Sequence, residues 1–232
     1  MASMTDVVKE GLKYPFNDGK KVLTLGIIFL VSSLVSLAME YFVFDNMRIL
    51  ADIAPVDTVQ AALSAIPPSS MALIVLSWII TFVLMVFASG YIYDVIKYGI
   101  EGRSELPEFS DIKGLLMKGL RAFVVGLAYS ILPMILFFLG LMLTVNESVG
   151  ASVNAIGGII LLIAIIFAIF VSLVNVMALC NMVDKDEFAA AFRFKEILGL
   201  IKNIGWGRYI GILLFAVIAM MIISVFFGFI FG

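Results

Sequence analysis

Five stretches of this chain, residues 22–39, 58–93, 122–146, 148–183 and 209–232, contain no Asp, Glu, Lys or Arg. Each is close to, or longer than, the roughly 20 mostly apolar residues that an α-helix needs to cross a hydrocarbon core about 30 Å thick. A soluble helix of that length would interrupt its apolar run with a polar face. Length does not decide the matter, since 232 residues could also build a soluble core. Composition agrees with the charge distribution: 63% of residues are hydrophobic and 14% charged, whereas soluble domains are nearer half and a quarter.

The expected fold class is therefore all-α: a polytopic membrane protein forming one transmembrane domain over 1–232, with about five spans and short interfacial amphipathic helices. The spans are expected at about 22–44, 71–93, 122–144, 155–183 and 209–231. The first holds fourteen Leu, Ile, Val and Phe residues, whose transfer sums to roughly −6 kcal/mol. Glu40 opposes this by about 3 kcal/mol at most, and by less near a helix end. Some twenty polar and mixed residues precede this run, which is too long for a signal h-region, so it reads as a retained span rather than a cleaved signal peptide. Pro133, near the middle of the third span, removes a backbone donor and is expected to kink it. The fourth span is longer than a perpendicular crossing requires and so should tilt or extend into the interface.

Basic residues then orient the chain. Lys9, Lys13, Lys20 and Lys21 precede span one. Lys97, Arg103, Lys113, Lys118 and Arg121 lie between spans two and three, and Lys185, Arg193, Lys195, Lys202 and Arg208 between spans four and five. The alternate connections carry Arg48 alone. Fourteen of the fifteen positive charges thus share one side, which the positive-inside rule makes cytoplasmic. The expected topology in the cell membrane is N-terminus inside, C-terminus outside.

The connections carry helical patterning of their own. Over 186–204, Ala190, Phe194, Ile197, Ile201 and Ile204 recur at helical spacing while Arg193, Lys195, Glu196, Lys202 and Asn203 occupy other angles. This predicts an interfacial helix over 186–204, N-capped by Asp186 and stopped at Gly205-Trp206-Gly207. A shorter helix is expected over 57–66, ended by Pro67-Pro68, and a weaker amphipathic turn over 5–13. A basic interfacial stretch leads into a span three times, which suggests an internal repeat.

Several chemistries lack their residues. Histidine is absent and Cys180 is the single cysteine, which removes the commonest general base and metal ligand, any intrachain disulfide and any thiolate cluster. There is no Gly-x-Ser-x-Gly and no pair of intramembrane aspartates. The expectation is a protein that is not an enzyme, with no cofactor, no metal and no nucleic-acid partner, since the net charge is −2 without a basic block.

Tyr14-Pro15-Phe16, Gly90-Tyr91, Leu106-Pro107-Glu108-Phe109 with Asp111, Gly119-Leu120, Tyr129, Pro133 and Ala191-Phe192-Arg193-Phe194 together resemble a family. It is a group of uncharacterised prokaryotic, largely archaeal, integral membrane proteins grouped as a domain of unknown function. The resemblance spans nearly the whole chain; the Leu-Pro-Glu-aromatic element is its most specific part, with Phe109 where tryptophan is more frequent. It implies a prokaryotic cell membrane and carries no catalytic or binding residues to transfer.

Three groups of residues are candidates for function. Leu106, Pro107, Glu108, Phe109 and Asp111 form a recognition epitope for a soluble partner, or else Pro107 starts or bends a short helix and Phe109 anchors in the interface. Glu40, Asn175 and Asn181, with Pro133, are polar or helix-breaking positions in or near spans; they serve a pathway, or else reach water and bond between helices. Ser224, Gly228 and Gly232 form a small-residue face for packing within the chain or between copies. Two functions follow. One is a non-enzymatic membrane scaffold contacting lipids, a second copy or another membrane protein. The other is a transporter or channel subunit, against which stands the lack of charged residues at midspan.

Overall fold

The uncharged stretches become long helices because a backbone away from water must satisfy its polar groups within one segment. The computed structural model describes residues 4–53, 67–145 and 151–231, and all regular structure among them is helical. Helix α1 (Met4–Lys13) is followed by a 3₁₀ turn, Tyr14–Asn17, and then by α2 (Gly19–Ile53), α3 (Pro68–Ile100), α4 (Ile112–Thr144) and α5 (Ala151–Lys185). A second 3₁₀ turn, Phe188–Phe192, leads into α6 (Phe194–Ile204) and α7 (Trp206–Phe231). The helix expected over 57–66 lies outside the described residues.

Four helices are long and apolar enough to cross a membrane: Gly19–Met39 within α2, Ser70–Ile100, Ile112–Thr144 and Ser152–Lys185. Helices α6 and α7 meet at 87°, and α7 brings the number to five when the bent pair is taken as one span. Helices of 33–35 residues are about 50 Å long, well beyond the hydrocarbon. The helices consequently overrun the expected spans. Helix α3 continues past Gly90, Tyr91 and Asp94 to Ile100, and α4 starts ten residues before Ala122. Charge limits what can sit in lipid; it does not end a helix, whose bonds continue into water. Pro133 lies inside one continuous helix, α4.

By packing, the chain forms two compact units. The first is Asp18–Val95 with Leu106–Leu120; the second is Met1–Asn17, Ile96–Glu105 and Arg121–Gly232. In the first, Val86, Ala88, Tyr91, Tyr93, Leu106 and Leu115 are buried, while Leu73, Val75, Leu76, Trp78, Ile79 and Phe82 are exposed. In the second, burial gathers at Val174, Ala178, Asn181, Met182, Val183, Ala190, Ala191, Ile197 and Ile201, and Ile159, Leu162, Ile163, Ile166 and Ile169 are exposed. Exposed aliphatic rows of this length suit lipid tails, which are as apolar as leucine.

Where helices cross, glycine sets the distance. A Cβ on Gly90 would lie 1.8 Å from the Leu115 carbonyl oxygen, and one on Gly119 would lie 1.8 Å from that of Val86. In the second unit the same holds for Gly140, 2.8 Å from Leu161 N, and for Gly157, 2.7 Å from Thr144 N. At Gly90 and Gly119 the nearest atoms are all backbone; at Gly157 the Thr144 hydroxyl, 2.6 Å away, is met first.

Candidate functional site

Two polar junctions, one in each unit, gather half of the candidate residues. The first is built on the segment after α3. Pro107 is fully buried and Leu106 nearly so. Phe109 stacks on Tyr91 with ring centroids 4.1 Å apart and an interplanar angle of 6°, and a second, looser stack reaches Phe87 at 6.2 Å. Lys21 Nζ donates to the Leu106 carbonyl at 2.7 Å and pairs with Glu108 at 2.7 Å. Asp18 accepts the Lys20 and Lys21 backbone N–H groups and so caps α2. Asp111 does the same for α4, accepting Gly114 N–H at 2.9 Å; a Cβ on Gly114 would strike that carboxylate.

The segment is thus a strap, pinned at Leu106, Pro107, Phe109 and Asp111 by packing, stacking and capping. No helix forms at Pro107, where a short helix was one of the two expectations: residues 103–111 are without regular structure. Phe109 finds an aromatic partner in the protein. Glu108, Ser110 and Asp111 are the exposed members. Beyond the strap, Lys118 Nζ holds both oxygens of Asp94 at 2.7 and 2.8 Å, with the carboxylate 13% exposed.

The second junction surrounds the 3₁₀ turn before α6. Asn181 Nδ2 donates to the Ala190 carbonyl at 2.9 Å and the Tyr129 hydroxyl to that of Ala191 at 2.7 Å; all four residues are buried. These bonds explain why the single helix expected over 186–204 is broken. The Ala190 carbonyl, shared with the Asn181 amide, accepts the Arg193 N–H in a tight turn, and α6 starts afresh at Phe194. Asp186 is not an N-cap: it sits at φ +50 in the turn after α5, and Glu187 and Arg193 occupy the two cap positions. Asp186 instead meets Lys97 at 3.6 Å and Arg121 at 4.0 Å. Gly205, at φ +91, ends α6 as expected, but Trp206 and Gly207 already belong to α7.

Around Tyr129 lie Phe192 and Phe194, with centroids at 6.1 and 5.8 Å. Trp206 stacks on Phe170 at 6.2 Å, and the Tyr209 hydroxyl donates to the Leu173 carbonyl at 2.7 Å. Carboxylates neutralise several cations here: Arg193 pairs with Glu187 at 2.6 Å and Lys185 with Glu196. Lys195 and Lys202 are exposed on α6 with no carboxylate partner among the described residues.

The remaining candidates stand apart from these junctions. Glu40 is on α2, but its side chain lies outside the described residues. Asn175, on α5, is half-buried, and its Oδ1 has no partner among the described residues. Pro133 is buried in α4. Ser224 is exposed on α7; the surroundings of Gly228 and all of Gly232 lie outside the described residues. The close-approach glycines and the Tyr129–Ala191 bond were not anticipated. Single glycines on α3 and α4, Gly90 and Gly119, offered only a faint signal.

The arrangement holds backbone turns in place and leaves Lys195 and Lys202 outward. Comparison with curated proteins and with solved structures finds no match. Residues 73–232 match the family described as "protein of unknown function (DUF4013)"; that stretch is well over half of the chain and includes the whole second junction and the first apart from its N-terminal residues, and the protein belongs to this family.

Proposed function

We propose that this integral membrane protein is a non-enzymatic scaffold of the cell membrane, with its N-terminus and basic connections in the cytoplasm, its C-terminus outside, and α6 lying along the cytoplasmic lipid interface. The observation that carries the reading is the 87° turn from α6 into α7. A helix at right angles to one that crosses the bilayer runs along its surface. The side chains of α6 suit that position. Ile197 and Ile201 are buried against the protein, Phe194, Leu198, Leu200 and Ile204 are exposed on either flank, and Lys195, Lys202 and Asn203 occupy the remaining arc. Flanking apolar groups enter the acyl boundary while lysines reach headgroups. The partners are membrane lipids and, through the exposed aliphatic rows, a second copy or another membrane protein.

Cysteine labelling tests the reading. In a Cys180→Ala background, Lys9→Cys and Asn203→Cys should react with an impermeant maleimide only after the membrane is opened, and a cysteine replacing Gly232 should react without opening. Labelling of Lys9→Cys and Gly232→Cys from the same side would overturn the topology. A nitroxide on Asn203→Cys should report headgroup depth; bulk-water accessibility would overturn the interfacial position of α6.

One observation favours a second reading, a subunit of a channel or transporter: the unpartnered, buried Oδ1 of Asn175 on α5. A polar atom of this kind in a span is normally bonded or wet. Flux through reconstituted vesicles that is unchanged by Asn175→Leu would remove its support.

A further inference from the structure

Beside α6, in the second unit, is an apolar cavity of about 260 Å³ whose walls include Tyr129, Pro133, Phe167, Phe170, Phe194 and Leu198. Its one polar wall atom of note, the Tyr129 hydroxyl, is already bonded to the Ala191 carbonyl. A water needs two to four polar partners, and an apolar cavity of about 150 Å³ stays dry and takes up benzene. This larger one is built for an apolar guest. Its mouth is set by Phe170, Phe194 and Leu132, which are about half exposed.

The charge beside that mouth identifies the guest. Leu198, a wall residue, is three positions after Lys195 and four before Lys202, so it lies between the two on the helix surface. The lysines are about 10 Å apart along the axis, and neither has a carboxylate partner among the described residues. Arg193 and Lys185 beside them are paired with carboxylates; among the described residues Lys195 and Lys202 are not. An apolar chamber with two uncompensated ammonium groups at its lip matches a molecule that is anionic at one end and aliphatic at the other.

We infer that α6 and the adjoining faces of α4 and α5 form a site for one anionic phospholipid, its phosphodiester between Lys195 and Lys202 and one acyl chain passing Leu198 and Phe194 into the aromatic cavity. The inference rests on the interfacial position of α6 proposed above and deepens it, because an interfacial helix needs only a lipid surface, whereas this site holds a single molecule. The bilayer is the source, and a chain is required as well as a phosphate.

The test uses the full chain in detergent micelles, with Trp78→Phe leaving Trp206 as the sole tryptophan. Trp206 stacks on Phe170, a cavity wall, so a brominated chain inside the cavity quenches its fluorescence. The probes are brominated phosphatidylglycerol and brominated phosphatidylcholine of equal chain length, at low mole fraction. Phosphatidylglycerol should quench saturably. Lys195→Gln/Lys202→Gln should weaken it about 25-fold, about five-fold for each lysine, and bring it level with phosphatidylcholine. Val171 is also a wall residue, and Val171→Phe, which fills the cavity, should abolish saturation with both lysines intact; Leu132→Phe, at an exposed wall, does the same work if Val171→Phe does not fold. Equal quenching by the two lipids in the parent chain, or saturation that survives a filled cavity, would overturn the site. If the nitroxide on Asn203→Cys reads headgroup depth while quenching never saturates, the lipid site fails and the interfacial helix stands. If it reads bulk water, the interfacial reading fails with it.

Discussion

Replacing Gly119 by alanine should separate two backbones that now touch. The added methyl would lie 1.8 Å from the Val86 carbonyl oxygen and 2.8 Å from Gly90 N, where real contacts essentially never fall below 3.0 Å. Backbone cannot swing aside as a side chain can, so α3 and α4 must part by more than about 1 Å. A gap of that size forfeits a quarter to a half of each dispersion contact across it, and a leucine-sized set of about 40–60 contacts at about 0.1–0.2 kcal/mol each would lose about 2–4 kcal/mol. Alanine returns about 1 kcal/mol in helix propensity. The net expectation is a loss of about 1–3 kcal/mol, the range usual for overpacking, read by titrating the protein out of mild detergent with dodecyl sulfate and following helical circular dichroism. Gly126→Ala, on the same helix with nothing within 4 Å, is the control and should be neutral or stabilising by up to about 1 kcal/mol. Gly90→Ala/Gly119→Ala should cost less than the sum of its parts, because both substitutions open one crossing. Equal stability of Gly119→Ala and Gly126→Ala would refute the close crossing.

Adjacent glycines on α5 offer a second contrast. Gly157→Ala brings a methyl within 2.7 Å of Thr144 N and 2.9 Å of the Gly140 carbonyl, whereas Gly158→Ala meets nothing, so in the same titration only the first should destabilise, by about 1–3 kcal/mol. Tyr129→Phe and Asn181→Ala each leave a buried carbonyl of the 186–193 turn without its side-chain donor, which should cost about 1–3 kcal/mol apiece and open that turn to limited proteolysis before the rest of the chain. Asp94→Asn should lose about 1–2 kcal/mol, a value discounted for the one-third exposure of Lys118. Asp94→Leu/Lys118→Met should regain most of it, since removing both charges leaves neither uncompensated; a double variant as unstable as the single would contradict the pairing.

The candidate sites were only partly legible. The Leu106–Asp111 strap was visible as a motif, open to two readings: an epitope for a soluble partner, or a local helix start at Pro107 with Phe109 anchored in the interface. Its residues turn out to be occupied: Phe109 by Tyr91, Asp111 by the α4 N-terminus, Pro107 by burial. No periodicity could say this, because Tyr91 is eighteen positions away on another helix. Asn181 was read as an interhelical bonding group; it bonds instead to a turn nine residues on. The same bond, with that from Tyr129, divides the helix that the spacing of Ala190, Phe194, Ile197 and Ile201 had predicted. Local patterning stayed helical throughout, and two side chains arriving from α4 and α5 interrupted it.

By itself, the order of amino acids determined that this protein is helical and membrane-bound. Charge-free runs as long as a bilayer is thick have one low-energy answer, and it depends on each segment alone. The stop at Gly205 belongs with these, since its φ of +91 suits a residue without a Cβ. Tertiary structure decided where helices touch and where a helix is cut: Gly90 against Leu115, Gly157 against Thr144, Tyr129 and Asn181 holding the turn before α6. Lipid solvates one aliphatic face as well as another, so apolar patterning leaves the contact face open, and only the few atoms able to pack closer than a side chain, or to bond where water is absent, select it.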